Sequence, residues 1–108
     1  MPDHERLALI FKALAHPVRI GIVAELVAGR AGAGGGQGPG VIELAERVEI
    51  SRFAASFHLE QLREAGIVEK HRIGTRWAHR LTEEAFDAVD DWLCAVLPAP
   101  APLAAVAS

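Results

Sequence analysis

The sequence predicts a mainly α-helical domain of about five helices that carries one small β-hairpin. Apolar residues recur at helical spacing along most of the chain, which indicates amphipathic helices. In residues 41–65 a short apolar segment, a brief connection and a serine-led amphipathic segment follow one another, an order typical of a helix-turn-helix. A basic hairpin pattern comes directly afterwards and predicts a wing. The expected fold is therefore a winged helix-turn-helix.

The first two helices are predicted within residues 3–28. Asp3 can cap a helix that carries one apolar stripe at helical spacing, formed by Leu7, Ile10, Phe11 and Leu14. The step His16-Pro17 ends this helix, and a second one can begin there because proline is tolerated in a first helical turn. It should run to about Ala28 and bury Ile20, Val23, Leu26 and Val27.

A glycine-rich segment follows at residues 29–40. It contains seven glycines and predicts a flexible loop without chemistry of its own. A phosphate-binding loop is excluded because no Gly-Lys-Ser/Thr follows and no apolar strand precedes.

The helix-turn-helix itself is predicted from Val41 to about Ala65. Its short first helix covers Val41 to Val48, and Glu49-Ile50 forms a tight connection. Ser51 is a suitable N-cap, and Gly66 is a suitable left-handed C-cap for the second helix. That second helix should bury Ala55, Leu59 and Leu62.

The wing and the last helix complete the domain. Ile67 to Ile73 and Arg76 to Leu81 are predicted strands joined by the two-residue turn Gly74-Thr75. Thr82 should cap a final helix with Glu83 and Glu84 in its first turn, and this helix has an apolar side made of Ala85, Phe86, Val89, Trp92, Leu93 and Val96. The predicted domain spans residues 1–97, and residues 98–108 are predicted to be a disordered tail.

Composition limits the classes of function. With 108 residues, 51% of them apolar and 23% charged, the chain suits one globular domain, and no apolar run is long enough to span a membrane. Cys94 is the only cysteine, so an internal disulfide is excluded, and the N-terminus lacks the layout of a secretory signal. A cytoplasmic location is expected.

The net charge of −3 hides a strong asymmetry along the chain. Residues 1–51 carry six acids and five bases, residues 52–80 carry three acids and six bases, and residues 81–108 carry five acids and no base. Only the segment of the recognition helix and the wing is basic, which is the distribution expected of a nucleic-acid binder.

Three stretches of the sequence resemble the ArsR/SmtB-type winged-helix repressors. They are FKALAHPVRI at residues 11–20, SRFAASFHLEQLREAGIV at residues 51–68 and RIGTRW at residues 72–77. The resemblance covers about residues 5–97. It implies a homodimer that places one recognition helix per half-site in the major grooves of an inverted repeat and that is released by an effector or a modification.

The resemblance also indicates which residues lie near DNA. On the recognition helix these are Ser51, Arg52, Phe53, Ala54, Ser56, Phe57 and His58, and in the wing they are Arg72, Thr75 and Arg76. Arg52 could read guanine or hold a phosphate, and His58 could touch the backbone or make a structural hydrogen bond.

Two phenylalanines depart from the family pattern, which usually has polar residues at these positions. Phe53 and Phe57 are four residues apart and share one helix face. They could contact thymine methyl groups, or they could pack within the domain or against a partner protein.

The apolar stripes of the first and last helices predict a dimer interface. An exposed stripe of that size is unfavourable in a monomer. The predicted interface residues are Leu7, Ile10, Phe11, Leu14, Phe86, Val89, Trp92, Leu93 and Val96.

No metal or other cofactor is expected. The family's thiolate site is matched by residues 40–44, GVIEL, which contain no sulfur, and its Asp-x-His site is matched by Asp87-Ala-Val89, which lacks the histidine. His71 and His79 should lie near each other across the hairpin, but two ligands are too few for zinc. Cys94 is interpreted as a small buried apolar residue, and Glu83, Glu84, Asp87, Asp90 and Asp91 as a solvated face.

The expected function is sequence-specific binding of double-stranded DNA in transcriptional regulation. The resemblance implies repression, which is the usual outcome when a dimer covers a promoter. Catalysis is not expected, because no carboxylate–histidine grouping would meet in a pocket. The alternative is a winged-helix module that binds protein through Phe53 and Phe57. The sequence identifies neither the operator nor the effector.

Overall fold

The structure is a computed structural model that describes residues 3–30 and 38–97. This part of the chain forms five helices and one hairpin. In chain order they are α1 (His4–Leu14), α2 (Pro17–Arg30), α3 (Val41–Arg47), α4 (Arg52–Glu64), β1 (Val68–Ile73), β2 (Arg76–Leu81) and α5 (Glu83–Val96). The predicted winged helix-turn-helix is confirmed, with α4 as the recognition helix and the β1–β2 hairpin as the wing.

Helix ends agree closely with the predicted caps. The Asp3 carboxylate accepts hydrogen bonds from the first-turn amides of α1, and the Ser51 hydroxyl oxygen accepts one from the Ala54 amide at 3.1 Å. Gly66 ends α4 with a φ of 77°, a left-handed conformation that suits glycine. Thr82 is the N-cap residue of α5, but its hydroxyl donates to the Gly66 carbonyl instead of capping the helix.

The core lies where α1, α2, α3 and α4 meet the wing. Its fully buried large side chains are Ile10, Ile22, Leu44, Leu62, Ile67 and Val68. On α4 the predicted inner face is confirmed, since Ala55, Leu59 and Leu62 are all buried.

The predicted inner face of α2 is partly wrong. Ile20 and Val27 are 53% and 50% exposed, whereas Ile22 is fully buried beside Leu26. The helix is apolar on most of its circumference, so periodicity alone could not choose the face that meets the core.

The glycine-rich segment begins two residues later than predicted, because α2 extends to Arg30, and it ends before Val41 as predicted. Gly29 and Arg30 continue α2, and Pro39 is buried with its carbonyl accepting a hydrogen bond from the His79 amide at 3.0 Å. The other residues of the predicted loop, 31–37, and the predicted tail, 98–108, lie outside the described residues.

The two strands of the wing pair antiparallel around the Gly74-Thr75 turn, as predicted. Gly74 has a φ of 61°, which glycine adopts readily. Arg72 pairs with Trp77, Lys70 with His79, and His71 with Ala78. Since directly paired residues share a face of the hairpin, Lys70, Arg72, Trp77 and His79 lie on one face.

No single helix in the described ranges is long and apolar enough to cross a membrane. Together α1 and α2 would reach that length, but they are bent by 94° at their junction.

Candidate nucleic-acid interface

The N-terminal half of α4 presents a continuous exposed surface. Glu49, with a φ of 57°, turns the chain between α3 and Ser51, and the Ser51 cap then fixes where α4 begins. Arg52, Phe53, Ser56 and Phe57 are exposed and lie on one side of the helix, because their spacing repeats every four residues. Of the other residues predicted for this surface, Ser51 is exposed and Ala54 is partly buried.

Phe53 and Phe57 do not pack into the domain. Their side chains are 78% and 56% exposed, which removes one of the alternatives left open by the sequence. The Arg52 guanidinium lies 5.5 Å from the centre of the Phe53 ring, within the range of a cation–π contact. The Phe57 ring meets the His58 ring edge to face, with ring centres 5.5 Å apart. The surface therefore combines one cation with two rings that stay largely exposed in the described protomer.

His58 makes the structural hydrogen bond that was one of its two predicted roles. Its Nδ1 accepts a hydrogen bond from Arg19 Nε at 3.1 Å, and its ring centre lies 4.6 Å from that of His16. Burial lowers the pKa of His58, and the charges of His16 and Arg19 lower it further. A neutral imidazole therefore joins the recognition helix to the start of α2.

The wing tip carries the predicted basic and polar residues in a defined arrangement. Thr75 is exposed in the turn, and Arg72 Nε donates a hydrogen bond to the Gly74 carbonyl at 3.1 Å. Lys70 Nζ and the Arg72 guanidinium lie 4.9 Å and 5.6 Å from the centre of the Trp77 ring.

Lys70 and Trp77 were missed by reasoning from the sequence. The two-residue turn places Trp77 opposite Arg72, and strand alternation places Lys70 on the same face. Register and alternation together could have identified this cluster.

Arg76 is exposed in β2 and also has partners within the protein, while its predicted DNA contact stays a prediction. Its guanidinium lies 3.6 Å from the Glu43 carboxylate of α3 and donates a hydrogen bond to the Gly38 carbonyl at 3.3 Å. The side chain therefore ties β2 to α3 and to the segment before it. This long-range pairing has no local signal in the sequence.

The two wing histidines do not form a pair. His71 pairs with Ala78 and His79 with Lys70, so the two histidines are diagonal neighbours across the hairpin, as expected, but lie on opposite faces of it. Within residues 3–30 and 38–97 no three histidine, cysteine or acidic side chains come together as metal ligands.

The predicted dimer residues divide into two groups. Leu7 and Ile10 are buried in the protomer, so their predicted place in the interface is wrong. Leu14, Phe86 and Val89 pack against the core but are only partly buried, and their contact with a partner stays a prediction. The other four remain accessible: Phe11 and Trp92 form an edge-to-face pair with ring centres 5.2 Å apart, and Leu93 and Val96 are exposed beyond them. We call Phe11, Trp92, Leu93 and Val96 the α1/α5 surface.

Two further predictions concern α5. Cys94 is exposed, so its interpretation as a buried residue is wrong for the single chain. The acidic side chains of the helix are all exposed, as predicted for a solvated face.

A family model described as a helix-turn-helix domain matches residues 14–71, more than half of the chain. No curated protein sequence matches the chain.

Several solved structures are similar over most of their length. An ArsR-like transcriptional regulator from Rhodococcus sp. RHA1 is 26% identical, with a TM-score of 0.70 and coverage of 86% of this chain and 80% of that one. The transcriptional repressor BigR from Xylella fastidiosa is 31% identical, with a TM-score of 0.60 and coverage of 88% and 90%. The homodimeric winged helix-turn-helix DNA-binding domain of a possible ArsR-family regulator from Mycobacterium bovis is 29% identical, with a TM-score of 0.63 and coverage of 84% and 79%.

Proposed function

The chain belongs to the ArsR family of winged helix-turn-helix transcriptional regulators, and from this premise we propose that it is a homodimeric repressor of an inverted-repeat operator. The family is one of non-enzymatic DNA-binding regulators. The observation that carries the proposal is the exposed side of α4 formed by Arg52, Phe53, Ser56 and Phe57, with the wing beside it.

The recognition helix enters the major groove with its N-terminal half. A helix fits that groove, where the edges of all four base pairs can be distinguished. Arg52 donates to guanine or to a phosphate, while Phe53 and Phe57 contact thymine methyl groups. Ser51 and Ser56 supply hydroxyl donors to the backbone or to base edges.

The wing holds the phosphate backbone beside the major groove. Arg72 and Thr75 are the contacts of the wing tip, and they set the register of the helix without reading sequence. Arg76 supports this arrangement from within the protein, because Glu43 and the Gly38 carbonyl already bind its guanidinium.

The α1/α5 surface forms the interface between two copies. Two aromatic and two aliphatic side chains stand together there at the end of the molecule formed by α1 and α5. A self-complementary patch of this kind generates a twofold dimer, and a twofold dimer reads an inverted repeat. The homodimeric M. bovis relative supports this assembly.

Repression is supported by BigR, the 31% identical relative that is described as a transcriptional repressor. A dimer that covers a promoter blocks transcription without further chemistry. We place this activity in the cytoplasm, where DNA is accessible to such a protein.

Selection of duplexes from a random pool, followed by anisotropy titration, tests the proposal. We expect enrichment of one inverted repeat. Arg52→Ala should weaken binding to it, and Phe57→Ala should weaken it and reduce the preference for thymine at one position, each by about 1–3 kcal/mol. Ile20→Ala, at an exposed position on α2, is the control and should bind like the wild type.

The exposed phenylalanines also favour a second candidate, a module that binds protein through Phe53 and Phe57. A Phe57→Ala variant with unchanged affinity and unchanged sequence preference for DNA would contradict the role given to this ring and would favour the second candidate.

A further inference from the structure

A cavity of about 230 Å³ separates the recognition helix from the wing. Its polar lining comes from Ser56, Glu60 and Arg63 on α4 and from Lys70, Trp77 and His79 on the hairpin, and Val41 and Leu59 supply an apolar part. We call it the wing cavity. Its volume suits a molecule with one ring or two, smaller than the ligands of ordinary drug-sized pockets.

His79 offers this cavity a hydrogen-bond acceptor. The side chain is only 5% exposed, and its Nδ1 lies 3.1 Å from the Pro39 carbonyl oxygen. A carbonyl oxygen can only accept, so Nδ1 carries the hydrogen and Nε2 has a free lone pair. Burial lowers the pKa of His79, which keeps the ring neutral.

Nε2 of His79 has no hydrogen-bond partner among residues 3–30 and 38–97. Nε2 is not one of the buried side-chain atoms that lack a partner, so it keeps contact with solvent, and a donor that reaches it from the cavity replaces water. The cavity is therefore suited to a molecule that carries a hydroxyl or an N–H group.

The charge of the cavity is positive by one unit. Glu60 and Arg63 neutralise each other through two hydrogen bonds, and this pairing lowers the pKa of Glu60. Lys70 makes no ion pair within the described ranges, and its ammonium lies over the Trp77 ring. One anionic group on a ligand would neutralise the remaining positive charge of the cavity.

Trp77 provides a flat wall on which a planar group can stack. Nearly half of the side chain, 45%, is exposed although it lies in the middle of the paired strands. Stacking on an exposed indole buries apolar area from both partners.

We propose that the wing cavity binds a small planar aromatic carboxylate that also carries a hydroxyl or N–H donor. The carboxylate pairs with Lys70, the ring stacks on Trp77, and the donor meets Nε2 of His79. Such a ligand occupies the space between the recognition helix and the wing, beside Ser56, which the proposed function places at the DNA. Its effect on DNA rests on the function proposed above, whereas the binding itself does not.

Tryptophan fluorescence tests the site with 4-hydroxybenzoate as the probe. The chain contains two tryptophans, Trp77 in the cavity and Trp92 on α5. In a Trp92→Phe variant the probe should quench the remaining emission saturably, and in a Trp77→Phe variant it should not. Benzoate, which lacks the donor, should bind more weakly than 4-hydroxybenzoate.

Two variants of the hairpin distinguish a specific contact with Lys70 from a general effect of positive charge. Lys70→Gln should weaken binding of the probe about tenfold or more, since a charged hydrogen bond is lost. Arg80→Gln removes an equal charge from the other face of the hairpin and does not line the cavity, so it should bind the probe like the parent.

Absence of saturable quenching in Trp92→Phe up to about 10 mM probe, or equal loss in Lys70→Gln and Arg80→Gln, would overturn the proposal. Titration of the selected duplex with and without saturating probe then measures the coupling. Quenching in a protein that binds no duplex would support the cavity and contradict the DNA-binding function, so the two failures are distinct.

Discussion

At the level of single residues, the hydroxyl of Ser51 determines where the recognition helix begins. Its oxygen accepts the Ala54 amide, one of the amides that lack a partner within the helix. We expect Ser51→Ala to lower the free energy of unfolding by about 1 kcal/mol, measured by urea denaturation. Ser56→Ala is the matched control because that serine is exposed and makes no side-chain hydrogen bond within the described ranges. Equal losses in both variants would contradict the capping role.

Two histidines make stability depend on pH. Burial lowers the pKa of both His58 and His79, so the folded chain takes up their protons at lower pH than the unfolded chain does, near 6.5. Their contribution to stability is complete above about pH 6.5 and is lost as the pH falls through the lower folded-state pKa values. Protonation of His58 would also replace the acceptor of Arg19 by a like charge.

We therefore expect the free energy of unfolding to fall between pH 7.5 and pH 5, and to fall less in a His58→Gln variant. Urea denaturation across this range measures both. His4→Gln, at an exposed position in α1, is the control. A His58→Gln variant with the pH dependence of the wild type would refute the role given to the Arg19–His58 pair.

Individual side-chain roles differ in how far the sequence reveals them. Ser51 and Gly66 cap the two ends of the helix that they adjoin, so the residue type and its position in the sequence predict these roles. Arg76 and His58 have partners that are distant along the chain, Glu43 and Arg19, and no local pattern indicates such pairs.

At the level of elements, substitutions of two glycines with similar backbone conformations distinguish the cost of backbone strain from the cost of steric overlap. Gly38 and Gly66 have φ values of 81° and 77°, which β-carbon-bearing residues rarely adopt. A β-carbon at Gly38 would lie 2.2 Å from the His79 carbonyl oxygen, whereas one at Gly66 meets nothing within 4 Å.

Gly66→Ala should therefore cost about 1–2 kcal/mol of stability, from backbone strain alone. Gly38→Ala should cost roughly 3 kcal/mol or more, because β2 must also move. Thermal and urea unfolding of the two variants measure the difference. Equal costs would mean that the segment before α3 does not pack against β2 as described.

The helices were predicted well in extent and less well in orientation. For α4 only one face is apolar, so the stripe of Ala55, Leu59 and Leu62 identified the buried side. Helix α2 is apolar nearly all round, and tertiary packing selected Ile22 over Ile20. Register across the wing placed His71 and His79 on opposite faces of the hairpin, which their spacing in the sequence alone did not show.

At the level of the whole molecule, the α1/α5 surface predicts a dimer. Its side chains would remain exposed in a monomer, so burial against a second copy is favourable. We expect Leu93→Asp with Val96→Asp to produce a monomer that is still folded, measured by analytical ultracentrifugation and circular dichroism. Ile20→Asp, an equal charge on another exposed apolar residue, should stay dimeric. A doubly substituted chain that sediments as a dimer would place the interface elsewhere.

The distribution of charge gives the whole molecule its expected mode of binding. The recognition helix and the wing, within residues 52–80, carry an excess of basic residues. The excess of acidic residues falls in residues 81–108, a segment that contains none of the predicted DNA contacts. The net charge of −3 is therefore compatible with DNA binding, because the phosphates would lie next to the positive charge of the recognition helix and the wing and not next to the acidic end of the chain.

The salt dependence of binding to the selected inverted repeat tests the central claim most directly. A dimer with at least two cationic contacts per protomer should neutralise about four or more phosphates. A plot of the logarithm of the association constant against that of the salt concentration should therefore have a slope of about −3.6 or steeper. Anisotropy titrations between about 50 and 200 mM salt give this slope. Nanomolar binding at low salt with such a slope is the predicted result. Failure to enrich any duplex, or an affinity that does not change with salt, would contradict DNA binding and would indicate that the exposed phenylalanines of α4 bind protein.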